Sequence, residues 1–223
     1  MNTILKFKHS NALSLPEVYQ NDDVRFSDSL VTYFIEQFTS IGDCVFDPFA
    51  GFGTTLVIAE KLNRAGYGIE LLPDRAEYIR SIITNKANIK CGSALNLLQH
   101  DLPAIDFSIT SPPYMSRNNH EQYPFAAYQV TGEGYDQYLS DIEDIYKQLS
   151  KKLKPNAYAI IEISNIIKSN VLTTLAWDVA RAVGKALTFK KEIVIEWESD
   201  KKTEKYGFGF DHSYCLVFKN DLQ

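Results

Sequence analysis

The sequence is poor in cysteine. Its 223 residues include only three, Cys44, Cys91 and Cys215, and no two of them form a Cys-x-x-Cys pair. An odd number of isolated cysteines does not make a disulfide scaffold, and it lacks the ligand spacing of a cysteine zinc site. We therefore expect a protein of the reducing cytoplasm, with no metal centre, that is stabilised by an ordinary apolar core.

Long apolar runs are absent as well. No stretch approaches the roughly 18 to 20 residues that a membrane helix needs. The N-terminal segment is interrupted by Lys6, Lys8 and His9, so we expect neither a signal peptide nor a membrane partner. A chain of this length can bury a substantial core, and the length predicts that residues 1–223 form a single domain.

Positive charge is not in excess, since the formal net charge is −5 at pH 7. This balance excludes a polybasic protein that coats nucleic acid over its whole surface. It does not exclude an enzyme that contacts nucleic acid through one local face.

Short apolar segments alternate with amphipathic ones along the chain. This alternation predicts an α/β fold, namely a doubly wound and mainly parallel sheet with helices on both faces. No helix separates the last two strands, so we expect them to pair antiparallel at one edge. The predicted strands are 43–49, 66–70, 88–92, 105–111, 157–163, 191–198 and 212–219. The first predicted helix is capped by Ser27 or Asp28 and runs through Leu30 and Phe38, and the others are 54–64, 73–84, 135–153 and 172–187.

A glycine turn follows the first of these strands. Gly51 and Gly53 allow a close backbone approach to a ligand, and Glu70 ends the next strand, where a carboxylate can accept hydrogen bonds from ribose hydroxyls. The turn lacks the third glycine of dinucleotide-binding motifs and the Gly-Lys of a P-loop. A ligand with a ribose and no phosphate, S-adenosylmethionine, suits it; the alternative is a glycine turn that binds nothing.

A second group of residues, Ser111-Pro112-Pro113-Tyr114, ends the strand 105–111. In a doubly wound sheet this position faces the same crevice as the glycine turn. The Ser111 hydroxyl and the Pro112 carbonyl can accept hydrogen bonds from an exocyclic amine, and Tyr114 can stack on a planar base. The alternative interpretation is a strand that simply ends at two prolines.

Taken together, DPFAGFGTT, GIE and TSPPY resemble the motifs of the amino-methyltransferases of DNA, which methylate cytosine N4 or adenine N6. The resemblance covers most of the chain, including the lead-in segment VRFSDSLVTYFIEQF and the closing strand HSYCLVFK. It implies a Rossmann-like methyltransferase fold, S-adenosylmethionine as the cofactor and a single catalytic domain. It also implies a role in DNA methylation within a restriction-modification system.

The resemblance assigns the candidate site residue by residue. The cofactor would contact Phe26, Asp47, Phe49, Ala50, Gly51, Gly53, Thr54, Thr55, Glu70 and Ser93, and the target base would be held by Ser111, Pro112, Pro113 and Tyr114. Ser93 stands where the family often has an aspartate near the adenine ring. A serine rather than an aspartate before Pro112 favours cytosine N4 over adenine N6.

The substrate predicted in this way is DNA, either as a single strand or with the target base flipped out of the duplex. No separate target-recognition region is evident, so a homodimer or a separate recognition subunit would fit. Two alternatives remain: methylation of guanine N2 in tRNA, and a cofactor-binding subunit that needs a partner to recognise DNA. The candidate phosphate contacts are Arg117, Lys151, Lys152, Lys154, Lys201, Lys202 and Lys205, each of which could equally be a solvated surface residue.

Overall fold

The computed structural model describes residues 2–11, 13–22, 25, 27–117, 123–126, 134–198 and 210–221. Its strands are β1 (Ile4–Lys8), β2 (Cys44–Asp47), β3 (Ala65–Glu70), β4 (Ile89–Cys91), β5 (Ile105–Thr110), β6 (Leu153–Ile163), β7 (Ile166–Lys168), β8 (Val171–Thr173), β9 (Thr188–Glu198) and β10 (His212–Lys219). Its α-helices are α1 (Asp28–Phe38), α2 (Thr54–Lys61), α3 (Pro73–Ile82), α4 (Tyr135–Ser150) and α5 (Leu175–Val183). Within these ranges, no helix has the length and apolar character that crossing a membrane requires.

One sheet organises the molecule, with the strand order β1-β9-β10-β6-β5-β2-β3-β4. The pairs on either side of β2 are parallel, as are β5 with β6 and β1 with β9, whereas β10 runs antiparallel to both of its neighbours. The predicted α/β fold, doubly wound and mainly parallel, is therefore confirmed. The chain direction across the sheet reverses between β2 and β5, and a reversal of this kind leaves a crevice at the carboxyl ends of the two strands.

Successive side chains along each strand point to opposite faces of the sheet. Val45 of β2 packs with α1 and α2, whereas its neighbour Phe46 packs with α4 and α5 on the opposite face. Both side chains are fully buried. Because helices cover both faces of the sheet, side chains that point to either face are buried. The strands are therefore continuous apolar runs in the sequence.

The structure adds three strands that the sequence pattern does not predict. β1 pairs with β9 and so depends on a partner some 190 positions away along the chain. β7 and β8 form a separate two-stranded hairpin, and they correct the predicted helix 172–187, which begins only at Leu175. The hairpin turn is made by Ser169 and Asn170, both at positive φ (52° and 60°), which is the backbone that two-residue type I′ turns require.

Helix α2 lies unusually close to β3, and a glycine makes the approach possible. A Cβ atom at Gly66 would lie 2.8 Å from the Cα atom and 2.9 Å from the carbonyl oxygen of Leu56. Both of those atoms are backbone, so they cannot move aside without shifting the helix. Since α2 begins at the glycine turn, this close packing also fixes the position of the crevice.

We predict that Gly66→Ala lowers the free energy of unfolding by about 1–3 kcal/mol, the range typical of overpacking. Chemical denaturation of the purified variants would measure the loss. Gly134→Ala is the matched control, because a Cβ atom there meets no atom of the described residues within 4 Å. Equal stability of the two variants would contradict the close-packing argument.

Candidate active site

A cavity of about 370 Å³ lies at the carboxyl ends of β2, β3, β4 and β5, where the direction across the sheet reverses. Its volume is within the range of small-molecule sites. The residues that line it are Arg25, Pro48, Phe49, Ala50, Gly51, Phe52, Thr54, Ile69, Glu70, Leu71, Leu72, Arg75, Gly92, Ser93, Ala94, Ser111, Pro112, Pro113, Tyr114, Pro124 and Phe125. The glycine turn and Ser-Pro-Pro-Tyr, which are about 60 positions apart in the sequence, thus share one cavity.

Asp47 lies beneath this cavity and connects its parts. Its side chain is buried (1% exposed) and accepts hydrogen bonds from the backbone N–H of Phe49 at 2.9 Å and from the hydroxyl of Thr55 at 2.7 Å. The hydroxyl of Thr110, the last residue of β5, also donates to it at 2.5 Å. One carboxylate therefore joins the end of β2, the turn, the start of α2 and the strand that carries Ser111.

Burial raises the pKa of Asp47 to about 6, even though its three hydrogen bonds oppose the shift. The loss of solvation outweighs the hydrogen bonds in setting the pKa of Asp47, because no cation of the described residues is found to lower it. The charged form of Asp47 is thus retained at neutral pH at a cost to stability.

Glu70 is the acidic residue that faces the cavity. Its two carboxylate oxygens accept hydrogen bonds from the backbone N–H groups of Gly51, at 2.8 Å, and Leu72, at 2.9 Å. Burial raises the pKa of Glu70, and the two hydrogen bonds act in the opposite direction. Each oxygen of a carboxylate has a further lone pair, so Glu70 can hold the turn and still accept hydrogen bonds from two ligand hydroxyls.

Ser-Pro-Pro-Tyr is fixed from two sides. The hydroxyl of Tyr138, on α4, donates to the carbonyl of Pro113 at 3.0 Å. The hydroxyl of Tyr114 accepts a hydrogen bond from the backbone N–H of Ser164, just beyond β6, at 2.7 Å. The ring of Tyr114 lines the cavity at the same time. The backbone of this segment is therefore set by its neighbours before any ligand arrives.

Phe125 is a lining residue that the sequence interpretation missed. It belongs to the region 112–134, which has no clear period and for which the sequence predicts only a long loop. Its ring lies 5.8 Å from that of Phe49 and 5.5 Å from that of Tyr138, in stacked orientations of 27° and 8°. The apolar run Tyr123-Pro124-Phe125 within an otherwise polar loop is the signal that could have identified it.

The predicted cofactor residues fall into three groups. Those that line the cavity are Phe49, Ala50, Gly51, Thr54, Glu70 and Ser93. Those that lie behind the lining are Asp47, Thr55 and Gly53, whose φ of 84° starts α2 from a left-handed conformation. Phe26 lies outside the residues that the structure describes. All four predicted base-binding residues, Ser111 to Tyr114, line the cavity.

The predicted phosphate contacts are more scattered. Lys154 pairs with Asp106 at 2.6 Å, and Lys152 donates to the carbonyl of Leu102, both near the amino ends of β5 and β6 and thus at the edge opposite the cavity. Lys151 immediately precedes Lys152 in the same connection. Arg117 follows Tyr114 by three positions but is not among the residues that line the cavity, and its guanidinium pairs with Asp178 at 2.9 Å. Lys201, Lys202 and Lys205 lie outside the described residues.

Known proteins resemble this chain at two levels. In sequence, the family model described as DNA methylase matches residues 7–81. A Type II methyltransferase, M.MjaII of Methanocaldococcus jannaschii, is 39% identical over 49 residues, which are 22% of this chain and 9% of that protein. These matches confirm the predicted resemblance to the amino-methyltransferases of DNA, and the residues matched by the family model contain the glycine turn.

In structure, the chain is similar to TrmN from Thermus thermophilus, with a TM-score of 0.59 and 17% identity over 87% of this chain and 49% of that one. It is also similar to a TehB-like SAM-dependent methyltransferase from Corynebacterium glutamicum, with a TM-score of 0.56 and 14% identity over 90% and 91% of the two chains. The chain thus spans about half of the TrmN structure. At these identities the likeness concerns the fold, and it confirms the Rossmann-like methyltransferase fold.

The raised pKa of Asp47 predicts a pH-dependent stability. Between pH of about 4 and 6 the native state holds a proton that the unfolded state has released, so the free energy of unfolding falls as the pH rises. Asp47→Asn lacks this ionisation. Its free energy of unfolding should therefore improve relative to the parent by up to about 3 kcal/mol between pH 4 and 7.

Denaturant unfolding of both proteins at several pH values would measure this difference. Asp74→Asn, at an exposed position of α3, is the control for removal of one carboxylate. A difference between Asp47→Asn and the parent that stays constant from pH 4 to 7 would contradict the assignment.

Proposed function

We propose, on the premise that residues 7–81 match the DNA methylase family, that this chain is an S-adenosylmethionine-dependent methyltransferase. It acts on an exocyclic amine of a DNA base, with cytosine N4 as the favoured target. The observation that carries the proposal is the shared cavity, which brings the glycine turn, Glu70 and Ser-Pro-Pro-Tyr to one side of the sheet.

The lining of the cavity fits the cofactor. Glu70 supplies acceptors for a pair of ribose hydroxyls, and Phe49, Ala50 and Leu71 supply apolar surface for the adenine ring and the methionine chain. A Cβ atom added at Gly51, where φ is 57°, would approach no described atom beyond its chain neighbours more closely than the carbonyl oxygen of Phe49, at 3.9 Å. The backbone there leaves room for a ligand to approach it. The bound cofactor supplies a methyl group on a positively charged sulfur, from which the methyl is displaced by a nucleophile.

Ser-Pro-Pro-Tyr would hold the acceptor base. We assign the amine hydrogens to the Ser111 hydroxyl and the Pro112 carbonyl, while the hydrogen bond from Tyr138 to the Pro113 carbonyl holds the segment in place. Acceptors at these two places favour a tetrahedral nitrogen, whose lone pair is then available for the new N–C bond. The aromatic face of Tyr114 would stack on the base, which is worth roughly 1–3 kcal/mol.

Direct transfer to nitrogen needs neither a thiol nucleophile nor a strong base. No cysteine lines the cavity in the part of the chain that the structure describes, and burial raises the pKa of Cys44 to about 12. The methylated nitrogen is strongly acidic and gives its proton to water. Positioning and electrostatics therefore account for the chemistry that these residues would perform.

The base must leave the double helix to reach this cavity, so DNA would be bound with the target flipped out or as a single strand. A base amine of RNA, such as guanine N2 in tRNA, presents similar chemistry and is the alternative substrate. A recognition subunit or a second copy of the chain would complete the contact with DNA, because none of the described phosphate candidates, Arg117, Lys151, Lys152 and Lys154, lines the cavity.

We predict that Glu70→Gln weakens the binding of S-adenosylmethionine by about tenfold, because a charged acceptor of two hydroxyls is replaced by a neutral group with a single oxygen. Isothermal titration calorimetry would measure the dissociation constant. Glu77→Gln is the control, since Glu77 pairs with Arg80 on the surface of α3. If Glu70→Gln binds S-adenosylmethionine with unchanged affinity, Glu70 does not contact the cofactor.

We predict that Ser111→Ala lowers the rate of methyl transfer by about 10- to 100-fold, the effect of losing one hydrogen bond to the reacting amine, and that the affinity for the cofactor changes little. The assay follows a labelled methyl group from S-adenosylmethionine into native DNA, heat-denatured DNA and tRNA. Ser81→Ala is the control, because the Ser81 hydroxyl donates to the carbonyl of Tyr78 within α3, away from the cavity.

The three substrates separate the alternatives. Transfer to tRNA alone would show that the substrate is RNA rather than DNA. Transfer to DNA only after a second protein is added would show that the chain is a subunit that needs a partner. Cofactor binding without transfer to any nucleic acid, with or without other proteins, would contradict the proposed function.

A further inference from the structure

The hairpin formed by β7 and β8 carries a group of exposed apolar side chains. Ile167, Val171 and Leu172 are 46%, 42% and 51% exposed. Ile167 and Leu172 are paired directly across the two strands, so they project from the same face of the hairpin. Exposed apolar side chains that cluster in this way commonly mark a contact surface.

The hairpin is rigidly attached at its base. Ile166 and Thr173, which pair across the strands, are buried at 5% and 1% exposure, and Ile166 belongs to the core beneath α4 and α5. The tight turn at Ser169 and Asn170 ends the hairpin after three residues on each strand. The free part therefore extends about 10 Å from its base, at roughly 3.3 Å per residue.

Two hydrogen bonds connect the hairpin and the segment before it with Tyr114 and with Arg117, which lies three positions beyond Tyr114. The N–H of Ser164, two positions before β7, donates to the hydroxyl of Tyr114 at 2.7 Å. The Thr173 hydroxyl, at the end of β8, accepts from the N–H of Arg117 at 3.1 Å. Since β5 and β6 are parallel neighbours, the hairpin rises from the same edge of the sheet as Ser-Pro-Pro-Tyr.

We propose that this hairpin is a wedge that contacts DNA at the base step beside the flipped nucleotide, with Ile167 and Leu172 occupying the space that the base has left. This inference rests on the proposed function, because it takes DNA as the partner. An apolar side chain inserted between base pairs replaces lost stacking and stabilises an opened duplex. Lys168, exposed beside the turn, adds a positive charge where the phosphates would pass.

The position of the hairpin favours DNA over a protein partner. A base that enters the cavity beside Tyr114 must come from a duplex that lies across this edge of the sheet. An exposed apolar pair next to that entry would meet the stacked bases, whereas a protein bound there would block the entry.

The first test compares the double variant Ile167→Ala/Leu172→Ala with the parent in binding to two synthetic duplexes, one fully paired and one with a single abasic site. Fluorescence anisotropy of labelled DNA gives the dissociation constants, and the assay needs no turnover. We expect the parent to bind the abasic duplex about tenfold more tightly than the paired one, and the double variant to lose this preference.

Ile41→Ala is the matched control, because Ile41 is 74% exposed and precedes β2, at the opposite edge of the sheet. It should retain the preference for the abasic duplex. Thermal unfolding of each variant within a few degrees of the parent would exclude a folding defect. A parent without the preference, or a double variant that keeps it, would overturn the wedge.

The second test measures methyl transfer to native DNA and to the same DNA after heat denaturation. The double variant should lose about tenfold on the native duplex and less than about threefold on the denatured strands, since the wedge assists only when a base pair must open. Equal losses on both substrates, or no loss on the duplex, would overturn it. A parent that prefers the abasic duplex but transfers no methyl group would contradict the proposed function and leave the wedge supported.

A further outcome concerns self-association. If the parent is a dimer in sedimentation velocity and the double variant is a monomer, the apolar pair is an interface between two copies of the chain. That result would also overturn the wedge.

Discussion

The crevice depends on the buried carboxylate of Asp47. Its three hydrogen bonds reach the glycine turn, the first turn of α2 and the end of β5, so one side chain joins segments that are far apart in the sequence. Burying a carboxylate without a cationic partner is unfavourable, and the raised pKa of Asp47 reflects the part of that cost which the hydrogen bonds do not offset. These hydrogen bonds hold two segments, Gly51 to Thr54 and Ser111 to Tyr114, next to each other in one cavity.

Glu70 places the one carboxylate that lines the cavity within the described residues. Its charge faces the ligand, whereas the charge of Asp47 lies behind the lining, and the proximity of Asp47 further raises the pKa of Glu70. The guanidinium of Arg75, which also lines the cavity, acts in the opposite direction and lowers the pKa of Glu70.

The sequence predicted those parts of the fold and site that are encoded locally. The glycine turn and Ser-Pro-Pro-Tyr each follow a predicted strand, and Glu70 is the last residue of another. Their place at the carboxyl ends of the strands therefore follows from the predicted strand positions. Phe125 escaped prediction because its place in the cavity is set by stacking on Phe49 and Tyr138, which no local period records. β1 escaped for a related reason, since its partner is β9 and its own five residues carry little pattern. The hairpin was mistaken for the start of a helix because Leu172 continues the apolar spacing of α5, whereas the positive φ of Asn170 arises in the folded turn.

Hydrogen bonds connect the segment Ser111 to Tyr114 with the chain that leads into the hairpin, and Tyr114 makes the first of them. Its ring faces the cavity while its hydroxyl is bound to the backbone ahead of β7, so the two features cannot move independently without breaking that hydrogen bond. A second connection runs through Asp178 on α5, which accepts hydrogen bonds from Arg117, Tyr135 and Thr174 and so anchors the chain beyond Tyr114 to the helices beneath the hairpin. If Ile167 and Leu172 fill the space left by a flipped base, as we propose, their distance from Tyr114 must match the geometry of an opened duplex. The hydrogen bonds of Tyr114 and Asp178 would then keep that distance fixed.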